Sequence, residues 1–268
     1  MTDADALREG GVPERLPAPL GQGPADPGPS AAAPEGEKVM SLVDHLGELR
    51  TRLAKSLLAV ALGSAVGFYF ARPLQGLLTS PLPDGSPPLQ ILDPGGAFAI
   101  TLRISIVVGI ILAMPVLIYQ LWAFVAPGLT ASERKMLRPW IPLALFFFAL
   151  GVAIAWFVLP FAITFLFSFT NEYLVANLAA APYFDFVTTM FLAFGLVLEF
   201  PIVLYALSKV GIATSARLRS SRRLVILAIA IFAAVATPGG DVVSPIVLGG
   251  TMYGLFELTI LAIRRSGR

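Results

Sequence analysis

The 268-residue sequence has no cysteine and a single histidine, His45. Without thiols there is no disulfide framework, no thiolate nucleophile and no iron–sulfur site. One histidine excludes bis-histidine haem ligation and argues against a histidine-based metal centre. Charge is scarce as well. Charged residues make up 13% of the chain and hydrophobic residues 56%, whereas a soluble domain carries about 25% charged residues. Such a chain lacks the polar surface to cover itself in water. There is no G-x-x-x-x-G-K-[ST] phosphate loop and no H-E-x-x-H, and a Ser–His pair would have to use His45, outside the apolar runs. The reading is therefore a non-enzyme with no cofactor and no nucleic-acid partner.

What the chain does have is apolar length. A spanning helix needs roughly 20 apolar residues. Six runs are read as spans: about Lys55–Phe70, Phe98–Phe124, Trp140–Pro160, Phe186–Leu207, Leu224–Ala236 and Ile246–Ile263. The fold class is thus all-α polytopic membrane protein with six transmembrane helices. Pro115 predicts a kink near Ile111, because proline removes a backbone bond. The apolar residues from Pro160 to Phe169 are expected to form a separate surface helix. The loop from Phe70 to Gly96 holds six prolines and is expected to be irregular. The fifth run is short, covering about 20 Å of a roughly 30 Å hydrocarbon core.

Three sections follow from composition: a disordered Pro/Gly/Ala-rich tail over 1–38, a membrane domain over 39–265 and a short C-terminus over 266–268. The basic residues are shared unequally between the connectors. With the N-terminus inside, every Lys and Arg except Arg72 and Arg103 falls on the cytoplasmic side. Basic loops stay inside, so both termini are expected in the cytoplasm and the protein in the inner membrane. Arg103 is expected to snorkel from the outer end of the second span. Trp122, Trp140 and Tyr119 read as anchors at the inner boundary.

Six acids need a reason. Glu199, inside the fourth run beside Pro201, is costly in hydrocarbon and should face protein, water or a partner. It is either a partner-binding or proton-handling group, or a protonated acid bonded between helices. Glu257 in the sixth run raises the same question. Glu48 stands four residues before Arg52, which suits a helical ion pair. Thr130–Glu133 and Ser41–Asp44 both have capping-box spacing. Asp241 follows two glycines in an outer turn, which is ordinary turn chemistry. Spacing alone makes Glu48 and Glu133 structural.

Longer stretches carry a resemblance. His45-Leu-Gly-Glu-Leu-Arg50-Thr-Arg52-Leu, Pro115 through Trp122 and Pro127 to Arg134, Phe194-Gly-Leu-Val-Leu-Glu199-Phe-Pro201, Ala236-Thr-Pro238-Gly-Gly-Asp241 and Tyr253-Gly-Leu-Phe-Glu257 stand in order. Together they resemble the TatC family, the multi-spanning receptor subunit of the twin-arginine protein translocase. The resemblance implies a concave, glove-like bundle and folded cargo proteins bearing twin-arginine signal peptides. It implies a signal-binding site of Glu48 and Glu133 with Phe124, Leu129 and Arg134. Glu199 becomes the acid of the intramembrane groove, and Pro81, Phe98 and Asp241 become parts of a periplasmic cap. It further implies single-span partner subunits of the TatA and TatB type, self-association in a multimeric receptor complex, and transport driven by the proton-motive force. Two other readings of the residues stand beside it: a proton-coupled solute carrier using Glu199, and a membrane scaffold that binds no ligand.

Overall fold

The structure is a computed structural model describing residues 42–174, 177–209, 215–237 and 241–265. The tail read over 1–38, the residues 266–268, Ser41 of its expected capping box and residues 238–240 of the outer turn lie outside the described residues. Apart from two isolated bridges, the described regular structure is helical. Hydrocarbon supplies no hydrogen bonds, so a helix, which satisfies its own backbone, is the natural spanning element for these runs.

In chain order the helices are α1 (Leu42–Tyr69), α2 (Ala71–Thr79), α3 (Gly96–Val125), α4 (Ala131–Leu137), α5 (Trp140–Phe167), α6 (Ala180–Val197), α7 (Phe200–Lys209), α8 (Ser215–Ser220), α9 (Arg222–Ala236) and α10 (Val243–Arg265). A 3-10 turn, Ala126–Gly128, links α3 towards α4. Among the described residues, five segments are long and apolar enough to cross a membrane: Val43–Tyr69, Gly96–Gly128, Ala131–Phe167, Ala180–Ser208 and Val243–Arg265. The sixth expected span is α9, with 15 residues. At 1.5 Å per residue it is about 22 Å long, less than the core thickness.

Three expectations change. The proline-rich loop is not irregular throughout, because α2 occupies its first part. Pro73 sits in the first turn of α2, where a missing N–H costs nothing within the helix. It also cannot donate to the Tyr69 carbonyl, so the chain turns between α1 and α2. The apolar residues after Pro160 do not form a separate surface helix: α5 runs unbroken through that proline to Phe167. The fourth run is broken instead, into α6 and α7, at Leu198-Glu199. There Pro201 offers no N–H to the Val197 carbonyl, and Ile202 and Val203 both donate to the Glu199 carbonyl, at 3.0 and 3.2 Å. α3, by contrast, continues through Pro115 as one helix.

Small residues set the closest helix contacts. A Cβ on Gly63 would lie 2.7 Å from the Gly109 carbonyl oxygen, and one on Gly67 would lie 2.8 Å from that of Ser105. Both pairs join α1 to α3. Arg52 meets Gln120 and His45 meets Phe124 along the same seam. The partners run in opposite order, so the two helices are antiparallel. In lipid, such small-residue seams let backbones approach and gain dispersion contact. Gly151 and Gly195 do the same for α5 and α6.

The main core collects Ile104, Ala155, Leu159, Val187, Met190, Phe194 and Leu248 from α3, α5, α6 and α10. A second cluster, at the end of the bundle where α1 begins, holds Leu129, Leu137, Tyr205, Leu218, Phe256, Ile260 and Ile263. At the opposite end, the Tyr183 hydroxyl donates to the Leu78 carbonyl at 2.7 Å. Gln90 exchanges backbone bonds with Leu178 and Ala180 at 2.9 and 2.8 Å. These contacts tie α2 and its loop to the start of α6.

The seam predicts a contrast between two glycines. In Gly109→Ala the new methyl would sit 2.5 Å from the Ser64 backbone nitrogen, and overpacking should cost about 1–3 kcal/mol. Gly76→Ala in α2 meets nothing within 4 Å and should gain about 0.5–1 kcal/mol from helix propensity. Thermal unfolding of the purified variants in detergent checks this; a Gly109→Ala midpoint at or above that of Gly76→Ala would refute the seam.

Candidate functional site at the basic end of the bundle

The site begins with the first turns of α1. Glu48 and Arg52 are one helical turn apart and form the expected ion pair. The Arg52 Nε donates to Glu48 Oε1 at 2.8 Å, and a terminal guanidinium nitrogen reaches the same oxygen. The other terminal nitrogen lies 3.5 Å from Gln120 Oε1 on α3. Glu48 Oε2 is buried and accepts no hydrogen bond within the described residues. The His45 Nδ1 lies 3.8 Å from it. The His45 ring stacks on Phe124 with centroids 4.3 Å apart and planes 15° from parallel. The structure thus joins Glu48 to Phe124 through His45. Histidine had no assigned role in the sequence reading; only its spacing of three residues from Glu48 hinted at one.

The next part of the site follows the end of α3. The Thr130–Glu133 capping box is formed: the Glu133 N–H donates to Thr130 Oγ1 at 3.4 Å, and the Thr130 N–H donates to Glu133 Oε2 at 3.0 Å. This fixes Glu133 in the first turn of α4. Arg134 has a structural duty, donating from Nε and a terminal nitrogen to the Ala126 carbonyl at 3.2 and 2.8 Å. The same carbonyl accepts the Leu129 N–H at 3.2 Å, so Arg134 braces the 3-10 turn that follows α3. Leu129 is buried in the second cluster rather than forming open surface. Trp140 stacks on Tyr205 at 3.8 Å and Trp122 packs on the same cluster, so both indoles are packing groups, whereas Tyr119 is exposed.

The remaining acids divide by environment. Glu199 sits at the α6–α7 break with Oε1 buried and without a hydrogen-bond partner among the described residues. Glu257 is paired across the α9–α10 contact, accepting from Arg222 at 2.6 Å. Asp241 is buried and accepts from the Ser244 N–H at 2.6 Å through Oδ1. That bond satisfies a backbone N–H in the first turn of α10 from two residues before the helix begins. Asp241 also lines a cavity of about 460 Å³ between α9 and α10, with Ile229, Ala233, Gly249 and Tyr253. Phe98, at the start of α3, is largely exposed and Pro81 is half-buried after α2. Arg103 does not snorkel alone; it pairs with Asp185 on α6. Asp185 was missed because it lies in an otherwise apolar helix start, where spacing signals no partner.

The described residues form an all-helical, multi-pass membrane protein whose Lys and Arg residues, Arg72 and Arg103 apart, gather at one end of the bundle. Among the described residues, no three His, Cys, Asp or Glu side chains come together as metal ligands would. The comparisons agree on what such an assembly is. The family described as "Sec-independent protein translocase protein (TatC)" matches residues 44–250. TatC from Azotobacter chroococcum is 37% identical, over 85% of this chain and 91% of that protein. TatC from Carboxydothermus hydrogenoformans is 33% identical, over 84% and 93%. A crystal structure of the twin-arginine translocase receptor TatC in DDM superposes with a TM-score of 0.73 at 35% identity, covering 82% of this chain and 99% of that one. The class is a membrane-embedded component of a protein translocase, not an enzyme. The chain belongs to the TatC family of Sec-independent protein translocase proteins.

The capping box carries a prediction for this site. Thr130→Ala removes the Glu133 N–H acceptor and should cost about 1 kcal/mol. The expected readout is faster hydrogen exchange across Ala131–Leu137, with α1 and α3 amides unchanged. Unaltered exchange in α4 would show that the cap does not hold Glu133 in place.

Proposed function

We propose that the basic end receives the paired arginines of twin-arginine signal peptides carried by folded cargo proteins. Glu48 and Glu133 are the guanidinium acceptors, because carboxylates bind guanidinium groups in bidentate, charge-assisted fashion. Phe124 offers an aromatic face. Leu129 supports the site from below, and Arg134 fixes the turn that carries it. The observation that carries this reading is Glu48 itself: one oxygen already holds a guanidinium and the other is buried without a hydrogen-bond partner among the described residues. Two acids among many Lys and Arg also disfavour unselective capture of basic peptides.

The rest of the proposal concerns placement and assembly. The basic connectors lie in the cytoplasm, with the N- and C-termini on the cytoplasmic side of the inner membrane. α9 is the sixth crossing, and its short span thins the adjacent bilayer or is sheltered by single-span partner subunits of the TatA and TatB type. Its exposed Leu227, Ile231, Phe232 and Val235 offer the apolar face such a helix would cover. Pro81, Phe98 and Asp241 belong to the periplasmic cap, Glu199 faces the intramembrane groove, and copies associate into a receptor complex. Transport draws on the proton-motive force. Family membership replaces the reading of a solute carrier built on Glu199.

Crosslinking a twin-arginine signal peptide to the purified protein tests the site. The Glu48→Ala, Glu133→Ala double variant should lose crosslinking by at least about tenfold, as expected for losing two charged hydrogen-bond acceptors. Undiminished crosslinking in a folded double variant would overturn the assignment.

A further inference from the structure

Glu48 has two oxygens in different situations. Oε1 is saturated by Arg52. Oε2 is buried and accepts no hydrogen bond among the described residues. A buried acceptor left unmade is unfavourable, so Oε2 is the more reactive position toward an incoming donor. The group standing over it is His45, at 3.8 Å, with its side chain 39% exposed against 15% for Glu48. The flat face of the imidazole covers Phe124 at 4.3 Å and 15°. Imidazole and guanidinium are both planar, and guanidinium stacks on aromatic faces while donating in its own plane. A ligand guanidinium laid where the His45 ring now lies would gain the Phe124 face and Glu48 Oε2 together.

We propose that His45 is a gate on the arginine site: its ring holds the guanidinium position and leaves when the ligand binds. The inference rests on the proposed function and adds a residue that the site assignment does not contain. His45 lies in the first helical turns of α1, four residues into Leu42–Tyr69. Its side chain is already partly in solvent, so a rotamer change carries it outward with little repacking. Its loss from Phe124 is a stacking contact, and the arriving guanidinium replaces that contact in kind. An ammonium group is a compact, strongly hydrated point charge without a planar face. It would displace the same ring and recover the bond to Oε2 with a poorer contact on the Phe124 face. The gate and Phe124 therefore favour arginine over lysine.

The test measures binding of two labelled signal peptides, identical except for paired arginines or paired lysines, to the full-length purified protein. His45→Ala removes the contact that the ligand must displace and should tighten the arginine peptide by about two- to tenfold, the size of one aromatic stack. Phe124→Leu should narrow the arginine-over-lysine ratio, and in that background His45→Ala should no longer tighten binding. A merely structural histidine would weaken binding when removed, so unchanged or weakened binding in folded His45→Ala overturns the gate. Equal tightening with and without Phe124 overturns it too. Should His45→Ala fail to fold, His45→Asn carries the same expectations, since it also lacks a ring. Glu48→Gln separates the two levels of the argument: arginine-peptide binding that ignores this change defeats the site assignment itself, whatever His45 does.

Discussion

The seam between α1 and α3 decides whether the candidate site exists. α1 packs on α3 along its length and on α2 at its far end. Much of its remaining surface is open, with Leu53, Leu57, Leu58 and Leu62 each more than half exposed. Nothing in hydrocarbon drives such a helix onto its neighbour by releasing water, so close backbone packing must supply the attraction. Gly63, Gly67, Ser105 and Gly109 permit it. Arg52 lies about 16 Å along α1 from Gly63, given 1.5 Å per residue. At that point the helices remain close enough for its guanidinium to reach Gln120, and a further two turns on, His45 lies flat on Phe124. A wider seam would separate His45 from Phe124 and Arg52 from Gln120, leaving Glu48 with only the neighbours on its own helix.

Proline acts differently at three positions in the spans, and the difference shapes the interior. α3 and α5 continue through Pro115 and Pro160, whereas the fourth span divides before Pro201. The division allows Glu199 to donate its N–H back to the Leu196 carbonyl at 3.1 Å while its own carbonyl accepts twice. Irregular backbone at membrane depth is tolerated where protein or a cavity surrounds it. The carboxyl at this break is thereby held in the fold without a helical neighbour of opposite charge one turn away. That arrangement distinguishes Glu199 from Glu48, which has Arg52 on its own helix.

Much of this was legible in one dimension, because it depends on short-range spacing. Glu48–Arg52 is an i,i+4 pair and Thr130–Glu133 is an i,i+3 box, and both formed as read. The apolar runs gave the spanning segments, since their length and composition are set by the bilayer. What the spacing hid was tertiary. The α1–α3 seam uses glycines and serines that in sequence look like gaps in hydrophobicity. His45–Phe124 and Arg103–Asp185 join residues about 80 apart, and no local rule pairs them. α2 was missed because six prolines dominate its loop, although Pro73 falls in the one turn of a helix that accepts it. The continuation of α5 past Pro160 was missed for the opposite reason: the apolar segment is long enough for packing to override a single lost bond.

A common feature links the acids that the fold retains. In Glu48, Asp241 and Glu257, one carboxylate oxygen is bound by the protein, to Arg52, the Ser244 N–H and Arg222 respectively. The second oxygen of each is buried and has no hydrogen-bond partner among the described residues. Buried acceptors are rarely left open in a finished core, so each of these oxygens is a position that a water or an incoming donor would satisfy. The bound oxygen fixes rotamer and position, which removes the entropy a free carboxylate would lose on binding. The open oxygen keeps a directional acceptor at a known place. For Glu48 this division has a further consequence. An intramolecular guanidinium on one oxygen lowers the field that a second cation meets, so attraction by charge alone is weakened. If the site binds arginine as proposed, selection falls to shape, to a planar fork that uses the remaining oxygen and the Phe124 face at once. A site surrounded by basic residues that had to accept arginine would gain from that arrangement, because it would discriminate by geometry where net charge repels.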